Sequence, residues 1–201
     1  SDYANLAYAD TAYNLDLGRG FGLNFGGQGG GEQTSGANII GQQTVCAAGY
    51  ACGNGVNSNF IGLTAGVGIK SYQLSAAWNS IWGSGFGNGA IISPSTAFHT
   101  DDPLYTTSNY QGMIEKGSAG NAFKYTAATN YFDNSLQIST TYGMYDSAVY
   151  PYSTELDLNV HYIWPGFHNA FHTYLQLDYL QQPDYVGGNT PAGTLMFNYV
   201  Y

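Results

Sequence analysis

The sequence predicts an all-β fold, an antiparallel transmembrane β-barrel of which about nine strands are present. Three observations lead to this prediction. Almost every regular segment alternates apolar and polar residues, the connections alternate between short and long, and charged residues make up only 8% of the chain. Alternation with period two is typical of strands that have one apolar and one polar face.

The segment TELDLNVHYIW, from Thr154 to Trp164, shows this alternation with little interruption. Its apolar parity holds Leu156, Leu158, Val160 and Tyr162, and its polar parity holds Asp157, Asn159 and His161. A soluble domain would bury the leucines in a core. A membrane barrel would turn them towards lipid and turn the polar set towards water.

The four strands predicted in the first half are rich in glycine but still alternate apolar and polar residues. They are Asn5–Leu15, Gly20–Gly27, Phe60–Ile69 and Tyr72–Ser80. In the first of them, the polar side is the one that carries Asp10. The second is short, and we expect the glycine run at Gly26–Gly31 to be a flexible loop, since no lysine and no helix follow it to make a phosphate site.

The second half holds the clearest strands. They are Ala122–Tyr131, Ser135–Gly143, Thr154–Trp164, Phe171–Leu180 and Gly193–Tyr201. Each predicted strand is near the roughly 9–11 residues that cross a bilayer at a steep tilt. Nine strands are therefore expected in all.

The predicted connections sort by length. Short turns fall at Asp16–Gly20, Lys70–Ser71, Asp133–Asn134 and Pro165–Asn169, and longer loops cover about 28–59, 81–120, 144–154 and 182–192. Short turns on one rim and long loops on the other are typical of an outer-membrane barrel, so the long set is expected to be extracellular. A soluble sandwich has no reason to sort its loops in this way.

Aromatic residues indicate which face is outward, because they gather near strand ends on the apolar parity. The set is Tyr131, Tyr142, Tyr162, Trp164, Phe171, Tyr179, Tyr199 and Tyr201. In outer-membrane barrels, aromatic residues form girdles of this kind at the two membrane–water interfaces. A soluble fold would instead leave Gln, Asn and Thr on a solvent face nearly free of charge, whereas soluble surfaces usually carry both signs.

Charge and hydropathy exclude several classes. Four Lys and Arg against thirteen Asp and Glu give a net charge of −9, which argues against nucleic acid as a partner. The chain contains no run of 18 apolar residues, so the sequence predicts no transmembrane helix. The opening SDYANLAYAD lacks a basic start and an apolar block, so an exported chain is expected to be mature or trimmed.

The two cysteines, Cys46 and Cys52, lie in the glycine-rich stretch VCAAGYACGNG. Their spacing suits a small disulfide loop formed in an oxidising compartment. The alternative is two unpaired loop thiols. The spacing is not that of a redox C-x-x-C motif, and a metal site is not expected.

Several segments, taken in order, resemble the C-terminal half of OprD-like outer-membrane porins. They are NLAYADTAYNL, NFIGLTAGVGIKSYQLSAAWNS, DDPLYTTSNYQGM and ELDLNVHYIW…NAFHTYLQLDY. The final aromatic, Tyr201, is similar to the terminal aromatic of outer-membrane proteins. The resemblance implies an eighteen-stranded barrel, of which residues 1–201 would be a single region, the C-terminal half.

An odd strand count supports the same expectation, because bacterial single-chain barrels have even counts. The remaining strands would come from a longer chain or a separate segment. Closure by a homo-oligomer of two copies is the alternative, and it would force two parallel pairings at the seams.

One departure from the resemblance concerns charge. The family is associated with a ladder of basic residues that guides carboxylates through the lumen. Here only Lys124 lies on the lumen parity, while Arg19, Lys70 and Lys116 fall in turns or loops. Anion or amino-acid selectivity therefore does not carry over.

Candidate pore-lining residues lie on the polar parity of three strands: Lys124, Asp157, His161, His172 and Asp178. They would set the field in the pore, where acidic groups favour cations. Alternatively they are ordinary wall residues bonded to their neighbours. A metal site of His and Asp is a third interpretation, although no spacing enforces convergence.

The loop Ile81–Gly120 is long and partly apolar, which is typical of a functional loop. We expect it to fold into the lumen as a constriction, with an outer lid as the alternative. Asp101, Asp102 and Glu115 would then line the constriction, with Lys116 as the counter-charge.

These patterns predict a passive diffusion channel for small hydrophilic solutes or ions in a bacterial outer membrane. Its partners would be the lipid bilayer, lipopolysaccharide and the solute, and no cofactor is expected. The acidic balance favours cations or neutral solutes. A structural or adhesive β-rich surface protein is the alternative. An enzyme is not expected, since no catalytic arrangement stands out.

Overall fold

The computed structural model describes residues 4–34, 56–85, 104–110, 119–147, 152–167, 171–183 and 187–199. Within these ranges nine strands form one antiparallel sheet in sequence order. The strands are β1 (Ala4–Gly18), β2 (Phe21–Thr34), β3 (Val56–Ile69), β4 (Tyr72–Gly85), β5 (Gly120–Tyr131), β6 (Leu136–Ser147), β7 (Ser153–Ile163), β8 (Phe171–Gln181) and β9 (Thr190–Tyr199). The all-β prediction and all nine predicted strands are confirmed.

Short turns join the strands at one end of the sheet, which we call the short-turn end. Arg19 and Lys70 have φ of 55° and 56°, and Asp133 and Asn134 have φ of 52° and 69°. Tight hairpins need such left-handed residues because their twist then matches that of the flanking strands. The Asp16 carboxylate also accepts a hydrogen bond from the Gly18 N–H at 2.8 Å.

At the opposite end, the long-loop end, the strands run further than the sequence predicts. β2 continues to Thr34 and contains Gly26–Gly31, so the prediction of a flexible loop there is wrong. Tertiary pairing explains the difference, because Gly30 pairs with Tyr8 of β1 and with Phe60 of β3. Ladder bonds on both sides outweigh the weak strand propensity of glycine.

The predicted loop bounds are corrected for the same reason. The ranges 28–59, 81–120, 144–154 and 182–192 each include residues that belong to β2 to β7 or to β9. Each strand extends until its cross-strand partner ends, which a single sequence does not reveal. The extracellular position of these loops stays a prediction.

The sheet is not closed within the described ranges, where β1 pairs only with β2 and β9 pairs only with β8. No helix in these ranges is long and apolar enough to cross a membrane. A small apolar cluster lies near the long-loop end, where Leu104 packs with residues of β3 to β6. Its members are Phe60, Ile81, Leu104, Ala122 and Tyr145.

Candidate functional site

One face of the sheet is apolar and exposed. Leu156 and Leu158 of β7 are 50% and 37% exposed, and both tyrosines that pair with Leu156, Tyr142 and Tyr179, are exposed as well. We call this the outer face. The described residues form one sheet, and no second sheet among them is stacked on this face, as a dry core would require.

The other face, which we call the inner face, is polar and partly covered. Glu155 and Asp157 of β7 are 0% and 1% exposed, and Asp178, which pairs with Asp157 across β7 and β8, is 4% exposed. Residues 104–110, which we call the inner segment, cover it. They belong to the long loop that the sequence predicts to fold into a lumen.

The inner segment first contacts the glycine-rich strands. A Cβ atom built on Gly26 of β2 would lie 2.9 Å from the Tyr105 hydroxyl oxygen, so glycine leaves the space that this ring occupies. Burial and, second, the negative charge of Asp10 on β1 raise the pKa of Tyr105. The next residue, Thr106, donates its backbone N–H to Oδ1 of Asn79 on β4 at 3.0 Å.

The middle of the inner segment contacts β5 and β6. Nζ of Lys124 donates to the carbonyl oxygen of Thr107 at 2.7 Å. The Tyr145 hydroxyl lies 2.8 Å from the carbonyl oxygen of Thr106 and 2.7 Å from Oγ of Ser108. Tyr145 is 1% exposed, so these bonds lie in a dry environment, where each is stronger than in water.

The end of the inner segment contacts β7 and β8. Asn109 Nδ2 donates to Asp178 Oδ1 at 2.6 Å and to Asn159 Oδ1 at 3.2 Å. The backbone N–H of Tyr110 donates to Glu155 Oε1 at 2.8 Å. Seven consecutive residues therefore span the inner face from β2 to β8, and this part of the loop does not form an outer lid.

Three carboxylates meet where the inner segment ends. One oxygen each of Glu155, Asp157 and Asp178 lies within 4.8 Å of the other two. Gln176 Nε2 donates to Asp178 Oδ2 at 3.0 Å. Lys124 is the only lysine or arginine within the nine described strands, so the negative charge of this group exceeds the positive charge nearby.

The two histidines form a separate group nearer the short-turn end. His161 Nε2 lies 3.0 Å from His172 Nδ1, and His161 stacks on Tyr174 with ring centroids 4.1 Å apart. Gln137 Oε1 lies 3.4 Å from His161 Nδ1. A joint metal site of these histidines with Asp157 and Asp178 is not formed. Asp157 and His161 lie four residues apart on β7, and His172 and Asp178 lie six residues apart on β8, which is about 13 and 20 Å along extended strands.

The structure places every predicted pore-lining residue that it describes on the inner face. Lys124 contacts the inner segment, Asp157 and Asp178 form one group, and His161 and His172 form another. The predicted constriction residues lie outside the described ranges: Asp101, Asp102, Glu115 and Lys116. Cys46 and Cys52 also lie outside them.

Several residues of this face were not predicted from the sequence. Glu155 shares the parity of Asp157 in the same strand, so the alternation itself could have identified it. Asn79 lies on the polar parity of its predicted strand, whereas Asn109 and Tyr145 lie outside the strands that the sequence predicts. Their roles depend on where the inner segment crosses the sheet, and that path is set by contacts between residues distant in sequence.

The fold has close counterparts among solved structures, although no family model and no curated protein matches the chain. OccK3 (OpdO) of Pseudomonas aeruginosa matches with a TM-score of 0.73 at 12% identity, covering 98% of this chain and 49% of that one. OccK9 (OpdG) of the same organism matches with a TM-score of 0.72 at 11% identity, covering 99% and 47%.

Both neighbours are OprD-family porins of the outer membrane. The chain has the fold of half a porin barrel. The predicted resemblance is thus confirmed at the level of the fold, and we call the nine-stranded sheet the half-barrel. It spans about half the length of the solved structures it matches. In such barrels the outer face meets lipid and the inner face borders the lumen.

Proposed function

We propose that the half-barrel is part of an outer-membrane channel for the passive diffusion of small hydrophilic solutes or ions in a bacterium. The observation that carries this proposal is the opposite character of the two faces: leucines and tyrosines exposed on the outer face, polar residues and the inner segment on the other. A lipid-facing wall around a wet passage needs this arrangement.

Selection in this channel comes from width and charge. The inner segment occupies space on the inner face, so it narrows the passage. The acids at its end, Glu155, Asp157 and Asp178, make the potential there negative, which favours cations and neutral solutes over anions. Asp101 and Asp102 precede the inner segment in sequence, with only Pro103 between, and we propose that they belong to the same acidic lining.

Closure of the barrel needs further strands. Edges left unpaired in lipid carry a large free-energy cost, because no water satisfies their backbone groups. β1 and β9 run in the same direction, so two copies of this sheet would have to join by parallel pairing. An eighteen-stranded barrel, twice the nine strands, agrees with the match to about half of each porin.

An outer-membrane location also implies the partners of the protein and the state of its cysteines. The outer face would contact the bilayer and, in the outer leaflet, lipopolysaccharide. Cys46 and Cys52 would form a disulfide, as an oxidising compartment permits. The rival function, an adhesive or structural surface protein, would use the same strands in a fibre.

Single-channel recording of the full-length protein in planar bilayers tests the proposal. We expect stable conductance, and we expect conductance to rise when residues 104–110 are replaced by a Gly-Ser segment of equal length. The control replaces residues 36–42, in the connection between β2 and β3, in the same way. Absence of conductance from a protein that migrates faster unheated than boiled would refute the channel, and material retained in the gel well would favour the fibre.

A further inference from the structure

The channel function uses the inner-face acids only through their field, but their geometry is that of a binding site. Glu155 and Asp157 occupy adjacent inner-face positions of β7, and Asp178 lies directly across on β8. All three are at most 4% exposed, and one oxygen of each lies within 4.8 Å of the other two.

The charge of this group requires compensation. Three buried carboxylates carry three formal negative charges, and Lys124, the one cation of the described strands, supplies at most one positive charge. Ionised groups taken out of water are costly unless they are paired. The group therefore holds either protons or a bound cation.

A second observation points to a bound cation. Oδ1 of Asp157 is buried, and within the described ranges no N–H or O–H group of the protein donates a hydrogen bond to it. The surrounding donors, Asn109, Gln176 and the backbone of Tyr110, bond to oxygens of Asp178 and Glu155 instead. A buried acceptor without a donor costs free energy, and a metal ion that accepts its lone pair removes that cost.

The kind of ligand favours calcium over magnesium. One oxygen of each carboxylate lies within 4.8 Å of the other two, so the three can share one ion. Calcium accepts roughly 6–8 oxygen ligands in a flexible geometry, and carboxylates supply them directly. Magnesium demands a near-ideal octahedron and gives up its water reluctantly, so a group of three protein carboxylates suits it less well.

We propose that Glu155, Asp157 and Asp178 bind a calcium ion on the inner face. Asn109 and Tyr110 keep their hydrogen bonds to the carboxylates of Asp178 and Glu155. Because Asn109 and Tyr110 belong to the inner segment, the ion ties that segment to β7 and β8.

Calorimetric titration of CaCl2 into the full-length protein, purified in detergent and stripped with EDTA, tests the site. We expect one calcium ion per chain and an affinity at least about tenfold weaker in Asp157→Asn, since ligand charge sets calcium affinity. Asp10→Asn removes one inner-face charge on β1 and should change the affinity by less than about twofold. MgCl2 should bind more weakly than CaCl2.

Thermal unfolding, followed by the heat-dependent gel shift, gives a second readout. In EDTA, Asp157→Asn should be at least as stable as the natural protein, because it removes a buried charge. Calcium should raise the unfolding temperature of the natural protein and of Asp10→Asn, but not that of Asp157→Asn.

Two results would overturn the site. One is the absence of any calcium response in the natural protein at millimolar CaCl2. The other is an equal response in Asp157→Asn, which would place the calcium on residual lipopolysaccharide or elsewhere on the protein. Neither result bears on conductance, so the calcium site and the channel stand or fall separately.

Discussion

The glycine-rich strands β2 and β3 and the acid-bearing strands β7 and β8 hold the same inner segment by different means. On β2, Gly26 contributes only empty space, into which the Tyr105 ring fits. On β7 and β8, Glu155 and Asp178 contribute carboxylates that accept hydrogen bonds from Tyr110 and Asn109. One region fixes the segment by shape and the other by charge.

The two kinds of wall therefore position the inner segment in different ways. Small residues permit close approach but provide no directional bond, whereas buried carboxylates provide strong directional bonds but leave a net charge. Both regions share the same apolar outer face, on which Leu63 of β3 and Leu158 of β7 are exposed.

The largest effect is expected for arginine on the outer face. Leu63→Arg on β3 and Leu158→Arg on β7 should each lower the free energy of unfolding by about 2–4 kcal/mol if the residue lies near the bilayer midplane. Urea unfolding in lipid vesicles measures this loss in the free energy of unfolding. The control is Ser139→Arg, on the inner face of β6, which should cost much less. A loss of stability in only one of the two leucine variants would show that β3 and β7 do not share a lipid-facing surface.

The next effect concerns the space left by glycine. A Cβ on Gly62 of β3 would meet the Asn79 amide and lie 2.7 Å from Nε2 of Gln28, so Gly62→Ala should destabilise by about 1–3 kcal/mol. On the same strand, a Cβ on Gly68 would lie 3.9 Å from its nearest neighbour, the Tyr72 carbonyl oxygen. Equal unfolding midpoints for Gly62→Ala and Gly68→Ala would contradict the role of shape.

Removal of the Asn109 side-chain amide, where the inner segment meets β7 and β8, should lower the free energy of unfolding by a somewhat smaller amount. Asn109→Ala loses bonds to Asp178 and Asn159 and should cost about 1–2 kcal/mol, because its partner is a charged group. Release of the inner segment from the sheet is measured as increased protease cleavage within the long loop of the folded protein. Asn121→Ala, at an exposed position on β5, is the control, and similar cleavage of both variants would argue against the bonds.

The smallest effect is expected from one hydroxyl group. Tyr145→Phe keeps the ring in place but loses the contacts with Thr106 and Ser108, which should cost about 0.5–1.5 kcal/mol. We expect noisier single-channel currents as the middle of the inner segment loosens. Tyr142→Phe changes an exposed tyrosine on the outer face of the same strand, and its current noise should match that of the natural protein.

Much of the fold could be predicted because its signals are local. The alternation in TELDLNVHYIW assigned Leu156 to one face and Asp157 to the other, and both assignments agree with their exposure. Short turns were equally readable, since a hairpin closes over a few residues. The glycine run of β2 was misread because propensity favours a loop there, and only pairing with β1 and β3 overrides it.

The site was predictable only in part. Parity placed Lys124, Asp157, His161, His172 and Asp178 on one face, but it could not tell that the acids and the histidines form two groups. The spacing within each strand separates the two groups, and the register between β7 and β8 decides that Asp157 meets Asp178. The contact of Asn109 with Asp178 joins residues 69 positions apart and has no counterpart in any local pattern.

The number of strands, the order of the hairpins and the facing of the side chains in the predicted strands follow from local sequence, because period two and tight turns are properties of neighbouring residues. Where the strands end, how the inner segment crosses the sheet and which three carboxylates meet depend on the folded sheet. Those features depend on cross-strand register and on contacts between distant parts of the chain, which form only when the whole sheet is assembled.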